Sequence, residues 1–500
     1  MATSHTAFEQ EQTRTTHRPH YPPDWIFLTC FWAVIFLLGS ALTMNHLQWA
    51  DDHWFREQIN PVLSQYGLIA GAVRWVAYRA VTWQPRLFTE LQIALLINHI
   101  GLWRVLNAGA MATLCTTIVY FASYRHARSR TLFSMLLVFA LVPLLYQNVL
   151  FSGFYWFSGA INFTTPLAVM LLALVPFINT IRGQQLEIRR TPGSIIWGLW
   201  LLTFAAVAAY SEQTGLILAT IGIAASIWSL ATTKHLSKWL VIYLGWIVVN
   251  VLIFSIWNTV FSARGPAEIE SFFPDFGSWG IGRLLVLGLS YANYHTLFRS
   301  GLVFLISSIM LTVCLLRHHR GSVRCLGIFP LVYSAYTTLL WLLPYELPVI
   351  PFVIPSNPHE LWTGTGVSPL DWTVSGQLPN LIAMLAVLTF GVGLYYAFRT
   401  PELRFIGLLV FLASLASGYI LAFSPTIFAS GSRVFFVGDF LRILVAALLV
   451  PKFCHATHNF PGLRIGFGIG LGILGIIGWL RVLQLAWNLQ YDPFLTSLLF

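Results

Sequence analysis

The sequence predicts an all-α, polytopic integral membrane protein with about 13 transmembrane helices and interfacial helices in its outer loops. Three observations carry that expectation. Of the 500 residues, 57% are hydrophobic and only 9% charged, where a soluble domain carries about 25% charged. The apolar residues come in long unbroken runs, not in the short alternating strands of a transmembrane barrel. The loops between the runs alternate in character, one set short and basic, the other longer, aromatic and acidic, as loops on opposite sides of a membrane do.

Taken in order, residues 1–24 are polar and read as a cytoplasmic N-terminal tail, and residues 25–500 as a single multi-span membrane domain. The run from Trp25 to His46 has 22 residues and no Asp, Glu, Lys or Arg, enough to cross a core of about 30 Å at ~1.5 Å per residue. It is too long for a signal-peptide core and no small-residue cleavage site follows, so it is expected to stay as an anchor. Further spans are expected near 104–124, 131–149, 161–181, 194–210, 215–233, 239–258, 300–316, 325–343, 379–398, 405–423, 434–450 and 465–483. Six basic loops between them, with Arg14 and Arg18, hold 17 of the 28 Lys and Arg residues, which assigns that side to the cytoplasm. For the same reason the net charge of +10 is a topology signal, and no nucleic-acid partner is expected.

Three outer loops are long. Residues 47–103 contain an amphipathic stretch with Arg74 and Arg79 on its polar side, a pattern suited to a helix lying in the interface plane. Residues 259–299 carry LLVLGL, a stretch able to dip into the bilayer, and residues 344–378, rich in Pro, Gly and Trp, read as an ordered cap. None of the five cysteines falls in these loops, so no disulfide framework is expected.

Polar residues gather at the outer ends of the spans. Asp51 and Asp52 follow the first span, and Arg86 lies further along the same loop. A Gly- and aromatic-rich turn carries Tyr155, Ser158-Gly159-Ala160 and Asn162; Glu212 and Gln213 sit where two spans meet; and Arg433 follows a Pro- and Gly-containing turn, with Asp439 and Arg442 just inside the next span. Each has an ordinary explanation. Acids at a span mouth keep a loop in water, small residues allow close helix packing, and an interfacial Arg snorkels to headgroups. Their shared side of the membrane favours a site, because a scattered structural set would not have to fall there. Cys454, His455 and His458, and likewise His318 and His319, match no zinc spacing. No phosphate-binding glycine loop, nucleophile elbow or HExxH pattern is present.

With Asp51-Asp52 after the first span, the aromatic-Gly stretch ending Ser158-Gly159-Ala160-Ile161-Asn162-Phe163, Ser211-Glu212-Gln213, and Ser424-Pro425 leading to Arg433, the chain resembles the polytopic GT-C fold glycosyltransferases, and looks closest to little-characterised bacterial members. The resemblance implies a GT-C-like fold in the inner (cytoplasmic) membrane and transfer of a sugar from a polyprenyl-phosphate donor to a cell-envelope glycan or lipid acceptor at the outer face. It also places Asp51 or Asp52 at the position of the catalytic carboxylate. The chain lacks the soluble C-terminal domain of larger members, which leaves the acceptor open.

The chemistry fits the residues independently. A hydroxyl attacking an anomeric carbon needs a general base, which a carboxylate supplies. A leaving lipid phosphate carries charge that an Arg holds bidentately in a low-dielectric groove. Arg86, Tyr155, Asn162, Glu212 and Gln213 are candidates to bind substrate, and Arg433 to bind the phosphate at a helix N-terminus. A single phosphate leaving group does not require a divalent metal, so the cofactor stays open. The competing expectation is a transporter or flippase for a lipid-linked or small polar substrate, which calls for polar residues and broken helices near the midplane.

Overall fold

The computed structural model describes residues 25–44, 51–123, 128–184, 186–188, 191–342, 374–426 and 430–488. Among them the chain is all helical, with 12 helices long and apolar enough to span a membrane, or 13 if a bent pair counts as one span. The N-terminal tail and residues 344–373 of the expected cap lie outside the described residues.

The first span is α1 (Trp25–Thr43), followed by three shorter helices, α2 (Asp51–Tyr66), α3 (Leu68–Thr82) and α4 (Leu87–Leu96). The single interfacial helix expected within 47–103 is therefore divided. Gly67, with φ 78°, makes the α2–α3 turn, a backbone conformation that costs glycine little. The amphipathic pattern is also inverted at one position. Arg79 points inward, where it and Trp75 Nε1 hydrogen-bond the Glu90 carboxylate at 3.3 and 3.0 Å. Burial pushes the Glu90 carboxyl above its ordinary range against the pull of Arg79. The exposed side of α3 is mostly apolar, with Ile69, Val73 and Val81 beside the exposed Arg74; Arg79 turns inward because a buried carboxylate needs a counter-ion. Phe55, Ile59, Trp75, Ile93 and Trp103 pack these helices onto Phe157 and Ile161 as a small core of their own.

The spans continue with α5 (Ile100–Ser123) and α6 (Arg128–Leu141), and here the expected span 131–149 departs from a straight crossing. A 3₁₀ turn, Val142–Leu144, contains Pro143; Leu145 is extended, and the chain resumes at Gln147 bent by 102°. Proline supplies no backbone donor and cannot continue the helix. A π-helical turn, Phe151–Tyr155, and an extended Trp156 then lead into α7 (Phe157–Ile181). Residues 149–156 of this break are buried throughout, so their backbone groups need partners. Asn107 Nδ2 donates to Phe154 O at 2.6 Å and Thr164 Oγ1 to Gly153 O at 2.5 Å.

The glycines of this turn make the approach possible. A Cβ on Gly159 would lie 2.0 Å from Ser152 O, a backbone atom that cannot swing aside. Gly159→Ala is therefore expected to destabilise the protein by roughly 1–3 kcal/mol, read as a lower unfolding midpoint in detergent. An unchanged midpoint would remove the packing role of this motif.

The remaining helices among the described residues are α8 (Pro192–Ala209), α9 (Glu212–Thr233), α10 (Lys238–Val260), the shorter α11 (Arg264–Phe272) and α12 (Ile281–Tyr294), α13 (Gly301–His318), α14 (Cys325–Leu342), α15 (Val374–Ala397), α16 (Pro401–Tyr419), α17 (Phe436–Ala456) and α18 (Pro461–Asn488). The LLVLGL segment lies in α12 and packs on the 420–423 turn, where a Cβ on Gly288 would meet Ala422 Cβ at 2.3 Å. α17 is the axis of the bundle, buried without interruption from Phe435 to Pro451. All five cysteines are free thiols.

Candidate functional site

Five segments far apart in sequence meet at one end of the bundle. Asp52, in the first turn of α2, is fully buried and its Oδ1 accepts the Ser158 amide at 3.1 Å. One turn further along α7, Asn162 Nδ2 donates to Ser158 O at 2.7 Å, and Asn162 Oδ1 accepts from Arg86 Nη1 at 2.8 Å. Arg86 then grips Glu212, Nε to Oε2 at 3.1 Å and Nη2 to Oε1 at 2.8 Å. A planar guanidinium matched to a carboxylate is the strongest neutralising geometry available to these two groups.

Glu212 is therefore no solvated loop tip, although its side chain keeps 37% of its surface exposed. Arg264 of α11 binds it from the other side, Nη1 to Oε1 at 3.2 Å, while Arg264 Nε donates to Glu268 at 2.6 Å and Nη1 also to Gln84 Oε1. Burial works against the Arg264 charge, but Glu212 and Glu268 outweigh it and hold its pKa above the ordinary value. The two arginines tie the start of α4 and helix α11 to the tight α8–α9 junction, so the network is a structural frame.

Asp51 and Arg433 stand apart from this frame. Asp51 is exposed at the start of α2, beside the buried Asp52. Arg433 lies in a 3₁₀ turn, Gly431–Phe435, rather than in the first turn of an α-helix as expected; α17 begins only at Phe436. The break in register comes from φ 63° at Gly431 and the short turn that follows. The Arg433 guanidinium faces the Trp156 ring at 4.9 Å. Gln213 fixes this region from beneath, donating to Val434 O at 2.9 Å and Ser417 O at 3.2 Å. Tyr155 is placed in the bundle core against Phe151, so the aromatic at the site from this turn is its neighbour Trp156.

Sequence reasoning missed several groups. Arg264 joins the frame, yet nothing in its local pattern marks it. His295 and Ser300 meet Asp439 inside the bundle: His295 Nε2 lies 3.0 Å from Asp439 Oδ2, and Ser300 Oγ donates to it at 3.2 Å. Arg442 pairs with Asp439 and donates to Thr296 Oγ1 at 3.0 Å. Burial holds the His295 pKa below its ordinary value in spite of Asp439. Asp439 and Arg442 at i, i+3 were a visible signal; their partner on another element was not. Comparison of the chain with protein-family models, with curated proteins and with solved structures returned no match.

Proposed function

We propose that the protein is a membrane glycosyltransferase that transfers a sugar from a polyprenyl-phosphate donor to a cell-envelope glycan or lipid acceptor. The observation that carries the proposal is that one turn brings an exposed carboxylate and an arginine to the same place: Asp51 adjoins Asp52, which accepts the Ser158 amide, and Arg433, with no carboxylate partner within ion-pair distance among the described residues, faces the ring of Trp156, two residues before Ser158. Such a pair serves both ends of a glycosyl transfer. Asp51 takes the proton of the acceptor hydroxyl as its oxygen bonds to the anomeric carbon. The bond from that carbon to the phosphate oxygen breaks, and the electron pair leaves with the polyprenyl phosphate, whose charge Arg433 stabilises. Asp52 is fully buried and spent on the Ser158 amide, so it orients the turn and Asp51 is the base. The apolar outer face of α3 suits the entry of a lipid donor from the bilayer. In this reading the GT-C-like resemblance stands as a proposal about architecture as well as activity.

Arg433→Lys and Arg433→Ala test the phosphate role. Lys should restore only part of the single-turnover transfer rate lost in Ala, since a point charge cannot hold two phosphate oxygens as the planar fork does. Full activity in Lys would make Arg433 an interfacial anchor.

The site lies on the outer face of the inner membrane with the N-terminus cytoplasmic, by the distribution of basic loops. In a cysteine-free background, a cysteine at position 270 should react with an impermeant thiol reagent on intact cells and one at position 188 should not. The reverse pattern would overturn the orientation.

A second reading, a transporter or flippase for a lipid-linked or small polar substrate, is favoured by the 102° break after α6 and the buried Asp439–Arg442 pair inside α17, since transporters place broken helices and charges at membrane depth. Movement of a lipid-linked sugar across vesicles without cleavage would decide for it.

A further inference from the structure

Two arginines at the site end lack what Arg86 and Arg264 have. Among the described residues Arg433 forms no hydrogen bond or ion pair, and its guanidinium lies against the Trp156 ring. Arg299 donates a single hydrogen bond, Nη1 to Ser432 Oγ at 2.9 Å, and otherwise sits against the rings of Tyr146 and Tyr294 at 4.8 and 5.4 Å. Neither meets a carboxylate within ion-pair distance among the described residues, and both are half-buried. They share one place: Ser432, which accepts from Arg299, immediately precedes Arg433 in the chain. A half-desolvated guanidinium with most of its five N–H donors unspent is costly to keep. Ring stacking offsets part of that cost and leaves the donors free to meet an anion.

The position of Arg299 is built with unusual care. It ends a π-helical turn, His295–Arg299, a rare geometry that is frequent at functional sites. Three contacts pin that turn from the core. His295 binds Asp439, Ser300 Oγ donates to the same carboxylate oxygen, and Thr296 accepts from Arg442. The His295 ring also lies flat on Phe435 at 4.0 Å, two residues past Arg433. The cluster thus couples the arginine on the π turn to the one on the 3₁₀ turn.

We propose that Arg299 and Arg433 form a two-arginine clamp for a phosphate ester, and that the buried Asp439–His295–Arg442 cluster with Ser300 is the positioning device that holds Arg299 in it. The donor lipid as source of the phosphate rests on the transferase reading above; the clamp itself requires only the phosphate. Charge-assisted bonds from two forks recognise tetrahedral phosphate oxygens better than either arginine alone.

Equilibrium binding of farnesyl phosphate, farnesol and inorganic phosphate to the full-length protein in nanodiscs tests this. Arg299→Gln and Arg433→Gln should each weaken farnesyl phosphate at least tenfold and leave farnesol unchanged, with Arg299→Lys recovering part of the loss. Ser300→Ala keeps the Asp439–His295 pair and changes little volume. It should weaken farnesyl phosphate several-fold in the wild-type background and add nothing in the Arg299→Gln background, which a general loss of stability would not do. Wild-type affinity for farnesyl phosphate in a folded Arg299→Gln protein would overturn the clamp. Equal effects of Ser300→Ala in both backgrounds would overturn the positioning role. Inorganic phosphate binding as tightly as farnesyl phosphate would overturn the lipid source. Arginine-dependent farnesyl phosphate binding in a protein that never cleaves a sugar–phosphate bond would sustain the clamp and sink the transferase reading.

Discussion

Asp51→Asn should lower sugar transfer by roughly 10²–10⁴-fold, the usual worth of a positioned general base, while the unfolding midpoint stays where it is. The second half of that expectation is structural. Asp51 is exposed at the first turn of α2, and an amide of the same shape disturbs nothing around it. Asp52→Asn should behave differently. Its carboxylate is fully buried and accepts the Ser158 amide, so its loss shifts the turn carrying Asn162 and lowers stability and transfer together. Steady-state transfer and thermal unfolding, measured side by side on the two variants, separate a base from a brace. Wild-type transfer in Asp51→Asn would return that residue to the solvated loop.

Asp439→Leu should cost about 3–5 kcal/mol, because it leaves Arg442 charged and buried without its counter-ion. Asp439, Arg442 and His295 are all buried, and Asp439 joins three side chains from two elements. The double variant Asp439→Leu with Arg442→Met removes both charges and should regain much of that loss, since a buried pair is worth little over a well-packed apolar replacement. Unfolding in detergent monitored by tryptophan fluorescence reads both. A double variant no more stable than Asp439→Leu alone would mean that the pair's partners, not its charge balance, set the cost.

How far the sequence could foresee this structure depends on the range of the interactions. Unbroken apolar runs report burial in lipid directly, so the all-α polytopic fold and most span positions were legible. The bend after α6 was signalled by Pro143 but masked by hydropathy, which counts Val142–Leu145 as apolar whatever their backbone does. Asn162, Arg86 and Glu212 were chosen for charge and position, and the structure joins them hydrogen bond by hydrogen bond. Arg264 and His295 were not foreseen, because their partners lie 52 and 144 residues away and a single sequence carries no trace of such pairings. Arg79 was misplaced for a related reason: its polar character predicted water, while Glu90, 11 residues on, drew it inward.

The most direct test of the central claim is the lipid held by the purified Asp51→Asn protein, extracted and identified by mass spectrometry. With the base removed and Arg433 intact, the donor should bind and persist. The account predicts a polyprenyl phosphate still carrying its sugar, retained by Asp51→Asn and lost from Arg433→Ala. Bulk phospholipid alone in both preparations, from cells that contain such donors, would contradict it.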